Sequence, residues 1–285
     1  MKRRGVLLMA IIGSSLMVFA QGEIDLQPKV FYRNEWSLAF LLNSNGFGGN
    51  YRYGKRIDAR NKRLYEVDLS YMKDPKEHKS TSFTSSGARF VYGKKNLAFD
   101  FRFAMGRQHE MYRKHDVGSI AIRYFYNYGP AVVMLKPMYY KIGKVVTVYP
   151  PAGQGPAYQI INPQDEPEKF NPEWVNENKE IISRASFFKG FDQPKFIPGV
   201  FGKLGFNFEF SKQDRIVHAL ECGLFGEAFA KKVEIMDFST PNIGQTEMAK
   251  NRQFFLTIFV SYRFGRIVDP YEVKKSRKRS SEISY

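Results

Sequence analysis

Segments of about ten residues with a large apolar side chain at every second position, long enough to cross a bilayer at a tilt and ending in Tyr or Phe, predict an all-β fold. The class is an antiparallel transmembrane β-barrel of about ten strands, with eight also compatible. Composition agrees with a membrane wall around a polar interior: 16% of the 285 residues are aromatic, yet the net charge is +16. The single cysteine, Cys222, excludes an internal disulfide framework.

Met1-Lys2-Arg3-Arg4 precedes an apolar run from Gly5 to Ala20, the layout of a secretory signal peptide over 1–20. Its removal lowers the positive charge by three and delivers the chain to the envelope of a Gram-negative bacterium, with the outer membrane as destination. No later stretch has the roughly 18 consecutive apolar residues of a membrane helix.

Candidate strands follow at 27–33, 36–43, 47–55, 63–72, 89–106, 115–126, 131–142, 198–211, 215–226 and 253–265. In the fifth, Leu97, Phe99, Phe101, Phe103 and Met105 alternate with smaller or charged residues, and in the last Phe254, Leu256, Ile258, Val260, Tyr262 and Phe264 do so. Tight inside turns are expected at Ser44-Asn45-Gly46, Asn127 to Pro130 and Lys212-Gln213-Asp214. Outside loops are then 56–62, 107–114, 143–197 and 227–252, and 73–88 is left as a long connection on the inside. The barrel proper spans 21–267, with 143–197 as a long extracellular loop or lid.

This register turns Arg52, Glu66, Asp68, Asp100, Arg102, Arg123, Lys203, Glu209, Glu221 and Arg263 into the lumen. Enclosed charges have to pair, which predicts an ion-pair plug, and the same residues could otherwise line a narrow path. A second basic set, Lys55, Arg56, Arg60, Lys62, Arg63, Arg107, Arg113 and Lys114, is expected at the outer rim against phosphates of outer-membrane lipid, including lipopolysaccharide. After the last strand the tail 268–285 carries Lys274, Lys275, Arg277, Lys278 and Arg279 in a Ser-rich setting without apolar anchors, a disordered periplasmic segment that could touch a protein partner. Export excludes nucleic acid as its target.

The runs Asn34-Glu35-Trp36-Ser37, Asn45 to Lys55, Met72 to Glu77, Tyr92-Gly93-Lys94-Lys95-Asn96, Ile122 to Tyr126, Leu135 to Tyr140 and Phe187 to Gly190 resemble a group of small outer-membrane β-barrel proteins of Bacteroidota. The resemblance covers most of the chain after residue 20. It implies location and fold, and carries no catalytic motif to transfer.

Enzymatic patterns fail one by one. Gly49 to Lys55 imitates a phosphate cradle, but Arg56 stands where Ser or Thr should hold Mg²⁺. His109 and His115 are six apart, not the four of a helical zinc pair. His115 and Ser119 are about 13 Å apart in an extended strand, too far for a nucleophile and its base. The sequence therefore predicts no catalytic residue, metal or cofactor, and a scaffold or accessory subunit of an envelope assembly. A gated channel and a lipid-modifying hydrolase are the alternatives.

Overall fold

The computed structural model describes residues 34–81, 89–114, 118–150, 156–175, 177–212, 215–237 and 251–268. The signal segment, the 27–33 strand, His115, Asp116 and the basic tail lie outside the described residues.

The chain runs through β1 (Asn34–Asn43), β2 (Gly46–Arg56), β3 (Asn61–Met72), β4 (Lys79–Thr81), β5 (Arg89–Val91), β6 (Asn96–Tyr112), β7 (Ala121–Pro137) and β8 (Tyr139–Val148). It continues through β9 (Tyr158–Pro163), β10 (Glu168–Lys169), a 3-10 turn at Pro172–Val175, β11 (Lys179–Arg184), β12 (Lys195–Glu209), β13 (Ile216–Val233) and β14 (Arg252–Val268). Eight strands close a barrel in the order β1-β14-β13-β12-β7-β6-β3-β2. Every neighbour in it is antiparallel, and closure pairs Asn34 with Val268 at one end of the seam and Asn43 with Phe259 at the other.

Alternation decides the wall. Phe40, Phe103, Leu204 and Leu256 are all more than half exposed on the outside, whereas Arg52 and Glu221 are sealed inside at 1% and 0%. A continuous apolar exterior around a charged interior inverts a soluble protein and is the pattern of a bilayer-spanning barrel. Ten residues of β1 rise about 33 Å along the strand, or about 25 Å across a membrane when tilted by about 40°.

The eight-strand count differs from the ten candidate segments in two places. Segments 115–126 and 131–142 are largely one strand, β7, so Asn127 to Pro130 is not a turn. Segment 27–33 lies outside the described residues, and the closed wall is complete from Asn34 onward. Segment 89–106 also divides: β5 pairs with β4 in a small hairpin and the barrel strand starts at Asn96.

Sidedness changes with the count. Connections 44–45, 73–95, 138–194 and 234–251 share one end, and 57–60, 113–120 and 210–215 share the other with both ends of the barrel chain. The 73–88 connection thus joins the long loops instead of being a misfit. Just after the Ser44-Asn45 return, β2 starts so close to β3 that a Cβ on Gly46 would stand 1.9 Å from the Tyr71 carbonyl oxygen.

The region expected as a long loop or lid, 143–197, is mostly sheet in its described residues. β8 pairs with β9, β10 and β11, and a 3-10 turn at Pro172–Val175 lies between β10 and β11. This sheet packs Met138, Tyr140, Ile142 and Ile181 with Phe170 and Trp174 against Leu97, Phe99 and Tyr71 at the long-loop end.

Candidate functional site

Glu221 is the centre of the interior. Cross-strand register brings Glu221 opposite both Asn207 and Ser261, Arg52 opposite Glu66, and Asp68 opposite Asn50 and Arg102, all on the inward pleat. Arg52 donates to the two Glu221 oxygens at 2.5 and 3.3 Å, bridging β2 to β13. Arg263 donates to the same pair at 3.0 and 3.0 Å, with Asn207 at 2.7 Å and Ser261 at 3.2 Å. Arg52 also bonds Glu66, and Asn50 bonds Asp68. Lys203 reaches from β12 to Glu66 and Asp68 on β3, at 3.2 and 3.4 Å.

Toward the long-loop end, Arg102 donates to Glu227 at 3.1 Å and Ser70 at 2.8 Å and lies 3.3 Å from Asp100. These middle and upper tiers hold four cations (Arg52, Arg102, Lys203, Arg263) against five carboxylates (Glu66, Asp68, Asp100, Glu221, Glu227). Aromatic rings fill the gaps: Arg52 sits 4.6 Å over Phe125, Arg102 4.3 Å over Phe225 and Lys203 4.9 Å over Phe259. Such rings stabilise a cation while excluding water from it. Above them an apolar stopper closes the lumen, with Phe201, Phe229, Val133, Leu135, Ile197, Ile235 and Met236 buried together.

The ten predicted lumen residues all face inward, and they divide between tiers. Arg123 and Glu209 pair near the short-turn end, where Lys114 also donates to Glu209 at 2.9 Å. The residues that sequence reasoning missed are Glu35 and Glu227, one position outside the assumed strand ends, and the uncharged partners Ser37, Asn50, Ser70, Asn207 and Ser261. Continuing the alternation through residues 35 and 227 would have found the two acids.

The eight residues expected as a lipid rim do not form one surface. Lys62 turns inward to Glu35 because it sits at an even, lumen-facing position of β3, and Lys114, just past the end of β6, reaches back to Glu209. Arg56 and Arg113 both bond the Ala59 carbonyl, and with Arg60 they crowd the mouth of the lumen around Glu110. Asp58 closes the turn below them, accepting from the Asn61 side chain and from the Arg60 and Asn61 amides at 2.7 to 2.8 Å. These bonds hold its carboxyl below the usual range. Lys55, Arg63 and Arg107 point outward instead, directly opposite one another on β2, β3 and β6. All eight belong to the short-turn end, not to the end with the long loops.

Two of the remaining sequence motifs have plain roles. His109 hydrogen-bonds Asn61 at 2.8 Å and lies against Tyr124. Lys55, at the end of the imitation phosphate cradle, is part of a strand pairing with Arg63.

No family model matches the chain, and no curated protein does. Among solved structures, one similar fold is Neisserial surface protein A. The two share 6% identity at a TM-score of 0.36, over 82% of this chain and 96% of that one. What the chain does has to be read from its own barrel.

Proposed function

We propose that this chain is a non-enzymatic outer-membrane barrel that serves as a plugged anchor, a scaffold or accessory subunit presenting its long-loop sheet to an envelope assembly. The closed interior carries this reading: a lattice of ion pairs in the middle and an apolar stopper above it leave the wall and the β8–β11 sheet as the surfaces that can do work. Bacterial barrels keep short turns in the periplasm and long loops outside, which supports placing the docked sheet on the cell surface and both barrel termini within.

That orientation also moves the lipid contact. Lys55, Arg63 and Arg107 are like charges directly opposite one another, an arrangement that is destabilising without an anion between them. On the periplasmic edge they would meet phosphates of the inner leaflet, and not lipopolysaccharide.

Purification from native membrane in mild detergent, followed by planar-bilayer recording, tests the assignment. A stoichiometric partner and no steady conductance support the plugged scaffold, whereas a solitary chain with a steady open current overturns it. A narrow gated path is the second reading. Its support is a series of buried polar atoms without hydrogen bonds among the described residues, including the Asn127 side chain, Asn207 Oδ1 and Thr257 Oγ1.

A further inference from the structure

The outward-facing row of β7 reads Ile122, Tyr124, Tyr126, Tyr128, Pro130, Val132, Met134 and then Lys136. Lys136 is therefore the first charge above the apolar wall on this strand, at the long-loop edge. It is also a buried one, 2% exposed, because the turn after β11 folds down over it. Phe187 and Phe191 each place a ring centroid 4.8 Å from its ammonium nitrogen. The turn is pinned there by the Ala185 amide donating to the Tyr139 carbonyl at 2.9 Å. It also needs Gly190, whose φ is +96° and where a Cβ would meet the Pro137 carbonyl oxygen at 2.6 Å.

Among the described residues the Lys136 side chain has no ion pair, although its backbone belongs to the β6–β7 ladder opposite Leu97. The charged side chain that acts on it is Arg184, of the same sign. Lys189 adds a third cation, 5.4 Å over Tyr139, and among the described residues Asp192, the acid of this turn, makes no ion pair with any of them. A lysine side chain packed between two rings, with Arg184 as its charged neighbour, gains most from an anion brought to its ammonium end. The edge of the apolar wall supplies the rest of the chemistry. Phe188 and Phe196 stand 79% and 60% exposed beside the site, and Phe196 lies directly opposite Met134 in the lipid-facing row.

We infer that Lys136, with Arg184 and Lys189, binds the phosphate of a membrane lipid whose acyl chains lie along Phe188 and Phe196. The rings hold the amine at the headgroup level, as interfacial aromatics do, and the phosphate completes its coordination. The site rests on the bilayer-spanning reading of the barrel. It does not depend on which end faces the cell surface.

Native mass spectrometry of the folded, detergent-solubilised protein titrated with phosphatidylglycerol, with diacylglycerol as the phosphate-free control, tests the site. Lys136→Gln should lower phosphatidylglycerol retention about tenfold, the loss of one charge-assisted bond, while diacylglycerol binds weakly to both proteins. Lys189→Gln and Phe188→Ala alter only exposed side chains and should each lower it by a smaller factor, which keeps the test valid if Lys136→Gln does not fold. Equal retention in all variants overturns the site. Displacement of the lipid by millimolar inorganic phosphate assigns it to free anions and overturns the lipid. Failure of any variant leaves the barrel's conductance and its partner unaffected, so this test and that of the scaffold are separable.

Discussion

Glu221 accepts from three strands at once, and its replacement shows what the interior is for. Glu221→Gln keeps the volume but leaves Arg52 and Arg263 facing a neutral amide at 0% exposure. Breaking a buried pair by removing one partner costs about 3–5 kcal/mol, and the urea midpoint of the folded barrel, followed by its gel mobility shift, should fall accordingly. Arg63→Gln should do the reverse of a normal charge deletion. In zwitterionic micelles, where nothing neutralises Lys55 and Arg107, it should be neutral or stabilising by about 0.5 kcal/mol, and in anionic lipid it should destabilise. Which charges face inward was legible in the sequence, since alternation is a local property. Which carboxylate each cation meets was not, because Arg52 to Glu221 and Lys203 to Glu66 are contacts across the lumen, set by closure.

At the level of elements, β7 is where local signals and tertiary structure disagree. Asn127-Tyr128-Gly129-Pro130 has the chemistry of a turn, yet it lies in the middle of a 17-residue strand. Its partners explain this. A Cβ on Gly129 would stand 2.0 Å from the Phe103 carbonyl oxygen, and Pro130 sits where the β6–β7 ladder skips from Arg102↔Ala131 to Met105↔Tyr128. On the β6 side the proline thus occupies a break in the ladder, while on the β12 side it stays in register opposite Val200. The insertion 138–194 was legible only as a long loop or lid, because its strands pair with β8 over separations that local alternation does not reveal. Its sheet depends on Tyr140, whose hydroxyl lies 2.9 Å from both the Val91 and Lys94 carbonyls. Tyr140→Phe should loosen that sheet by about 1 kcal/mol and speed protease cleavage between β8 and β12 while the barrel stays intact. Burial pushes the phenol's pKa up, so this brace is fully present below the ordinary phenol range near about pH 10 and weakens as pH rises toward the raised value.

For the whole molecule, the membrane wall was the most legible feature and its height the least. Cys222 faces outward at mid-wall, opposite Phe206 and Val260. In lipid vesicles a membrane-impermeant maleimide should leave it unmodified, and denaturation should expose it to rapid labelling; prompt reaction in the vesicle would deny the apolar wall its bilayer. That wall is uneven. Outward apolar residues extend from Trp36 to Leu42 on β1 but from Ile122 to Met134 on β7, and the strands themselves measure 10 and 17 residues. At about 3.3 Å per residue, seven residues are about 23 Å of extra strand. A bilayer of constant thickness cannot match both flanks, so lipids beside β1 to β3 have to compress, or the cylinder has to lean toward its short side. The barrel therefore imposes a direction on its surroundings: a thinned crescent of membrane on one flank, fixed by strand length alone, that a neighbouring protein with an equally short wall would relieve.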